Sequence, residues 1–396
     1  MGTGSAYKAL TRDRGARALY AVFFINGLVL ASWAPRIPQI KAGLALTEAE
    51  LGVALLGVAL GSLPAMAVAG VLVNRFGGHA VARVAVVWYA AAIVLPALAR
   101  DLTGLTASLT VLGAAVGSLD VAMNTHAVDV ERGSGRSRMS SFHGLYSAGA
   151  LAGALLGTAA AALGLTPLAQ FAGTALVTAA AAGAAGAALR PATTIHRPPI
   201  ARGGRRLSLR RPPSLRLLLL SALGLSVLMI EGAMTDWGSV YLAGPLHAGP
   251  GLAGTGYAVF ALAMMAGRLG GDRAAARLGP VRTVRYGAVL SGCAAAAALV
   301  APHPLVAVAA YGAVGLGIAA SFPLVVSGAG RHPSGAHGTA VATVTSTGYL
   351  AFLAGPPLIG SLASLGSLRT ALLVVPALAV TAACLARLLA VGTEGA

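Results

Sequence analysis

Charge is scarce in this sequence. Only 11 of its 396 residues are Asp or Glu, and charged residues of both signs make up 10%. A water-soluble domain carries about 25%, so a soluble globular fold is excluded. Cysteine is rarer still. Cys293 and Cys384 lie in separate apolar segments, which excludes a disulfide framework or a thiolate-ligated metal. Both are expected to be small buried hydrophobes. Lysine is confined to Lys8 and Lys41, and aromatic residues are held to 5%. There is no nucleotide-binding loop, no metal-ligand spacing and no Ser-His-acid set on one segment, so neither an enzyme nor a cofactor is expected. Residues 1–17 are polar and basic with no early cleavage site, so the first apolar run is expected to stay as a helix.

What the chain has instead is length of apolar sequence. Hydrophobic residues make up 57% and mean hydropathy is +0.80. A membrane span takes about 20 such residues. Twelve runs qualify, near 17–35, 49–73, 80–99, 104–128, 140–163, 166–189, 215–242, 252–276, 283–301, 304–328, 337–360 and 368–390. Gly164 and Pro167 separate the fifth from the sixth. With loops placed alternately, about 24 of the 28 Lys and Arg fall on one side and about 4 (Arg36, Lys41, Arg100, Arg369) on the other. The expectation is an all-α protein of twelve transmembrane helices with both termini cytoplasmic. The net charge of +17 is then topological, and no nucleic-acid partner is expected. Residues 190–213 hold seven arginines and five prolines, too polar to build a core. They are read as a cytoplasmic linker between six-helix bundles at 1–189 and 214–396.

A few polar residues lie inside these runs. A charge at mid-membrane costs roughly 2.5–3.5 kcal/mol on insertion scales, so each calls for a reason. Asp120 and Asn124 share a helix stripe with Gly113 and Gly117. Counted from Asp129, Asp120 is ~14 Å deep, and Asn26 in the first span reaches a similar depth. Such a carboxylate takes up a proton, faces a wet cavity, or is hydrogen-bonded between helices as packing glue. His143 and Tyr146 in the fifth span, with Asn124, are candidates for a polar lining or an interhelical cluster. Glu231 is the second intramembrane acid. Asp236 and Trp237 are placed at the outer interface, Arg36 is expected to snorkel at the outer surface, and the remaining histidines are read as surface residues. Thr339, Thr343, Ser346 and Thr347 form a polar line in the eleventh span. Gly149, Gly153 and Gly157, four apart, are expected to bring the fifth span against a neighbour.

The sequence also repeats itself weakly. Gly70, Asn74, Arg75 and Gly77 follow the second span, and Asp272, Arg277 and Gly279 follow the eighth. Arg75 and Arg277 are about 202 positions apart, as are Gly77 and Gly279. Parallel repeats of this kind occur in one large transporter architecture.

On these residues the chain resembles a major facilitator superfamily transporter over essentially its full length. Gly70, Arg75 and Gly77 match the superfamily's Gly-x-x-x-Asp-Arg-x-Gly signature, with Asn74 at the acidic position and Ala276 at its second-half counterpart. The stretches Ser32-Trp33-Ala-Pro-Arg36-Ile-Pro38, Asp120-Val-Ala-Met-Asn124, Phe142-His143-Gly-Leu-Tyr-Ser147, Glu231-Gly-Ala-Met-Thr-Asp236-Trp237 and Gly355-Pro356-Pro357 resemble the YbjJ-like branch near the fucose permeases. Those permeases are proton-coupled sugar importers with membrane carboxylates on spans one and four. Asp120 matches the second of these, while span one offers Asn26. The glycine ladder resembles the superfamily's antiporter motif, with Ala154 where that motif has proline.

The resemblance implies a multi-pass, monomeric inner-membrane symporter for a small, sugar-like solute, with protons and the lipid bilayer as its other partners. Asp120 and Glu231 are the expected proton-linked groups. Asn26, Asn124, His143, Tyr146, Thr343 and Ser346 are the expected solute lining, and the two Arg-x-Gly turns the gate. Export of a hydrophobic drug or metabolite, and a sensor or scaffold that binds without moving its ligand, are the alternatives.

Overall fold

A computed structural model of the protein describes residues 3–134, 138–189, 214–330 and 337–390. The expected linker at 190–213 lies outside these residues. Those described hold twelve helical spans of 21 to 32 residues, long enough to cross a bilayer at 1.5 Å per residue.

The first half comprises α1 (Thr3–Trp33), α2 (Ile37–Gly43), α3 (Glu48–Phe76), α4 (Gly78–Ala92), α5 (Leu95–Leu98), α6 (Leu102–Ser134), α7 (Met139–Ala162) and α8 (Pro167–Ala188). The second comprises α9 (Leu215–Ala243), α10 (Pro250–Leu278), α11 (Pro280–Val300), α12 (Pro304–Ile318), α13 (Ser321–Gly330), α14 (His337–Leu365), α15 (Leu368–Ala371) and α16 (Val374–Leu385). Several short elements join into single spans: α1 runs through a 3-10 turn at Ala34–Arg36 into α2, α4 into α5, α12 into α13, and α15 into α16. Proline marks many of the starts, as at Pro167, Pro250, Pro280 and Pro304, where the missing N–H is not needed. Thr47 and Glu50 form a capping box on α3, satisfying the first orphan N–H groups of the helix.

Within the first half α1 packs on α7 and α3 on α6; within the second, α10 packs on α12 and α9 on α14. The α1–α7 contact is backbone against backbone. A Cβ on Gly149 or Gly153 would strike the Phe24 or Leu28 carbonyl, and one on Gly157 would lie 2.8 Å from the Ser32 carbonyl oxygen. The glycine ladder therefore serves helix approach. Helix α3 uses the same device against Gly113 and Gly117 of α6.

The repeat reappears in backbone conformation. Gly77 has φ 87 and ψ 151, and Gly279 has φ 78 and ψ 158. Each ends one span and begins the next in a region that only glycine enters without strain.

Arginines close helix ends. Arg83 donates to the Gly186 and Leu189 carbonyls at the end of α8 (2.7 and 2.6 Å). Arg369 donates to the Leu299 carbonyl at the end of α11 (2.6 Å). Arg216 reaches the Leu388 and Ala390 carbonyls (3.3 Å each). The guanidinium satisfies carbonyls that have no intrahelical partner and sits at the negative end of the helix dipole.

Four expectations are corrected. Arg36 does not snorkel; it is 1% exposed and donates to the Leu165 carbonyl just beyond α7. Trp237 is fully buried rather than interfacial, and His126 is buried with its ring 6.0 Å from that of His79. Cys293 and Cys384 are exposed on their helices. In a bilayer the outward face is as apolar as the core, so hydrophobicity alone does not tell the two apart.

Candidate functional site

The two halves touch along α3 with α14 and along α7 with α10. Both contacts are tight at one end. A Cβ on Gly52 would lie 2.6 Å from the Pro356 carbonyl oxygen, and one on Gly360 would lie 2.6 Å from that of Glu48. Gly254 of α10 faces the Thr158 hydroxyl of α7 at 2.7 Å and Pro35 at 3.1 Å, measured the same way. We call this the far face; it carries the short connections at 44–47, 163–166 and 244–249. The opposite, basic face carries the turns at Gly77 and Gly279. Toward it, a Cβ on Gly70 of α3, Gly144 of α7 or Gly270 of α10 would meet nothing within 4 Å, and His143 and Ser346 are exposed. The seam is shut at the far face and parted toward the basic face.

Polar groups collect where it parts. Glu231, near the middle of α9, accepts from Arg268 Nη2 of α10 at 3.1 Å. The side chains are 25% and 39% exposed respectively. Arg268 lies ten residues inside Leu278, the end of its helix, or ~15 Å deep. From the other half, His143 of α7 packs edge-on against Phe23 at 5.4 Å and lies within electrostatic reach of Arg268. Tyr257 of α10 lies within reach of Tyr146, Glu231, Asp236 and Arg268. The cluster thus draws on α7, α9 and α10.

Asp120 is held differently. Asn124, one turn along α6, donates its amide to the Asp120 carbonyl at 2.9 Å and to Oδ1 at 3.0 Å. Both side chains are half-buried. Asn26 is 2% exposed, with Nδ2 toward Met123 Sδ at 3.6 Å and Oδ1 without a partner among the described residues. It stands behind the wall, between α1 and α6. Thr343 is half-buried and Ser346 exposed, both on α14. The turn residues Asn74, Arg75, Asp272 and Arg277 are exposed on the basic face, with the Arg75 guanidinium 5.2 Å over the Phe76 ring.

The arrangement is a two-sided wall with ionic and hydroxyl groups at mid-membrane depth, closed at one end. It offers polar and charged groups to a small solute.

The family model for the Major Facilitator Superfamily matches residues 19–334. The chain belongs to this superfamily. An uncharacterized MFS-type transporter of Yersinia pestis is 36% identical over 369 residues, covering 92% of this chain and 93% of the relative. Among solved structures, a mutant of the nucleoside transporter NupG aligns with a TM-score of 0.75 at 12% identity, covering 94% of this chain and 99% of its own. FucP in its outward conformation aligns with a TM-score of 0.62 at 15% identity, covering 95% and 98%. The superfamily member described here is therefore a multi-pass membrane transporter of a small solute, in a family of transporters rather than enzymes, with the twelve-helix fold of that group.

Sequence reasoning misses Arg268 because it counts that residue with the basic residues at the end of its span. The distance from Leu278 is the signal that sets it apart.

Proposed function

We propose that the protein is a proton-coupled symporter that takes up a small polar, sugar-like solute across the cell's inner membrane by alternating access. The observation that carries this reading is the convergence of His143 and Tyr146 from one half with Glu231 and Arg268 from the other, below a seam closed at the far face. A site built from both halves changes shape when they rock, as transport requires. The basic face is the cytoplasmic one, following the arginine asymmetry. The state described is then open to the cytoplasm, with both termini on that side.

Asp120 is the proton-linked group and Glu231 the second acid of the site. Asn124 steadies Asp120; Thr343 and Ser346 add hydroxyls from α14; Asn26 supports the wall. The Arg75 and Arg277 turns, exposed here, close against their neighbours when the cytoplasmic side shuts. The site is complete within one chain, so a monomer suffices.

The test is flux of radiolabelled sugars into proteoliposomes under an imposed pH gradient, comparing wild type with Asp120→Asn. Loss of gradient-driven accumulation with retained solute exchange is expected. Equal accumulation by the two proteins removes Asp120 from the coupling role.

A further inference from the structure

We propose that the solute is a hydroxylated organic anion, of the sugar-acid type, whose carboxylate is bound by Arg268 in exchange for Glu231. The inference rests on the transporter reading and narrows its substrate class.

Three observations carry it. The first is the form of the ion pair. Arginine grips a carboxylate best through two parallel N–H donors. Here Glu231 Oε1 meets Nη2 alone, so among the described residues most of the guanidinium fork is unused. The second is access. Arg268 is the more exposed partner, 39% against 25%, on the side where the seam has parted. A solute entering the cavity meets the cation before the carboxylate. The third is the company. His143, packed edge-on against Phe23 and exposed, lies within electrostatic reach of Arg268, and Tyr257 within reach of both members of the pair, an imidazole and a hydroxyl suited to the hydroxyls of a sugar ring. Glu231 stands in for the missing solute anion: it compensates a charge that would be costly alone at ~15 Å depth, without filling the fork.

Asp236 is the group that argues for a competing cation. It lies on α9 beyond Glu231, within reach of Tyr257, and makes no hydrogen bond or ion pair among the described residues. It is positioned toward the closed end, however, whereas Arg268 faces the parted one.

The test uses the full chain in nanodiscs with matched probes: glucose, glucosamine and glucuronate, and the galactose set likewise. Binding is read by thermal shift and calorimetry, and flux separately in proteoliposomes. At least one uronate is expected to bind better than its neutral and amino counterparts. Arg268→Lys, which keeps the charge and loses the fork, is expected to weaken that binding about tenfold. Glu231→Gln, which removes the competing anion, is expected to tighten it. Opposite signs in these two variants separate recognition from a merely structural pair. The proposal is overturned if neither uronate outbinds its counterparts, if an amino sugar binds best, or if Glu231→Gln weakens uronate binding as Arg268→Lys does. Uronate binding without flux in wild type would leave the recognition standing and count against the transport reading.

Discussion

At the far face Gly52 lies against Pro356 and Pro357, and Gly254 against Thr158 and Pro35. Toward the basic face the same helices present Arg268, His143 and Ser346 to open space. One end is held by shape and the other is lined by charge. Small residues and proline carbonyls give close approach without interlocked side chains, so parting them breaks many weak dispersion contacts and few directional ones. Arg36 is a charged group buried at that end. Its Nε and Nη1 are buried without partners among the described residues, and burying such donors costs free energy. Opening the far face would hydrate them. The closed end therefore contains a group whose hydration favours opening.

The strongest test of this contrast is to crowd the closed seam. Gly360→Val is expected to prise it apart, since even a Cβ at Gly360 would lie 2.6 Å from the Glu48 carbonyl oxygen and 3.2 Å from the Gly52 Cα. Flux should fall to near background with the folded protein retained; wild-type flux in this variant breaks the two-ended picture. Next in size is Asp120→Asn, with gradient-driven accumulation lowered about tenfold or more, as expected for losing a proton-transfer group. Below it come the paired turns. Gly77→Ala and Gly279→Ala should each destabilise by about 1–3 kcal/mol, because alanine is strained at both conformations. Gly77→Ala should cost more, since its Cβ would meet the His79 ring at 3.0 Å while that of Gly279 meets nothing. Equal thermal shifts would show that His79 simply gives way. Smallest is Asn124→Ala, expected to lower stability by about 1 kcal/mol through one lost amide donor, measured by denaturant unfolding in micelles. A larger loss than from the turns would mean that Asn124 ties α6 to another helix.

Much of the architecture was legible because long apolar runs have few alternatives. The twelve runs fall where the spans lie, and the matched turns at Gly77 and Gly279 share one backbone conformation. The candidate site was half legible. Asp120 and Glu231 stood out because acids are rare in apolar sequence, and Asn124 because it lies one turn from Asp120. Arg268 did not, because arginine is common at the basic face and only its depth sets it apart. Asn26 matched Asp120 in depth, but depth along a helix says nothing about rotation, and its side chain turns toward Met123. Trp237 and Arg36 fell near helix ends, where a bilayer interface is the ordinary expectation; tertiary packing buries both.

The arginine fasteners also set a timetable for synthesis. Arg36 and Arg83 wait for carbonyls 129 and 103 to 106 residues downstream, all within the first half. At ribosomal speed that is roughly 10 s, so these two arginines have their partners before the second bundle begins to emerge. Arg216 must wait 172 to 174 residues, for the 3-10 turn that follows α16. A chain stalled before Leu388 lacks the carbonyls that fasten the start of α9, although Arg369 already holds the end of α11.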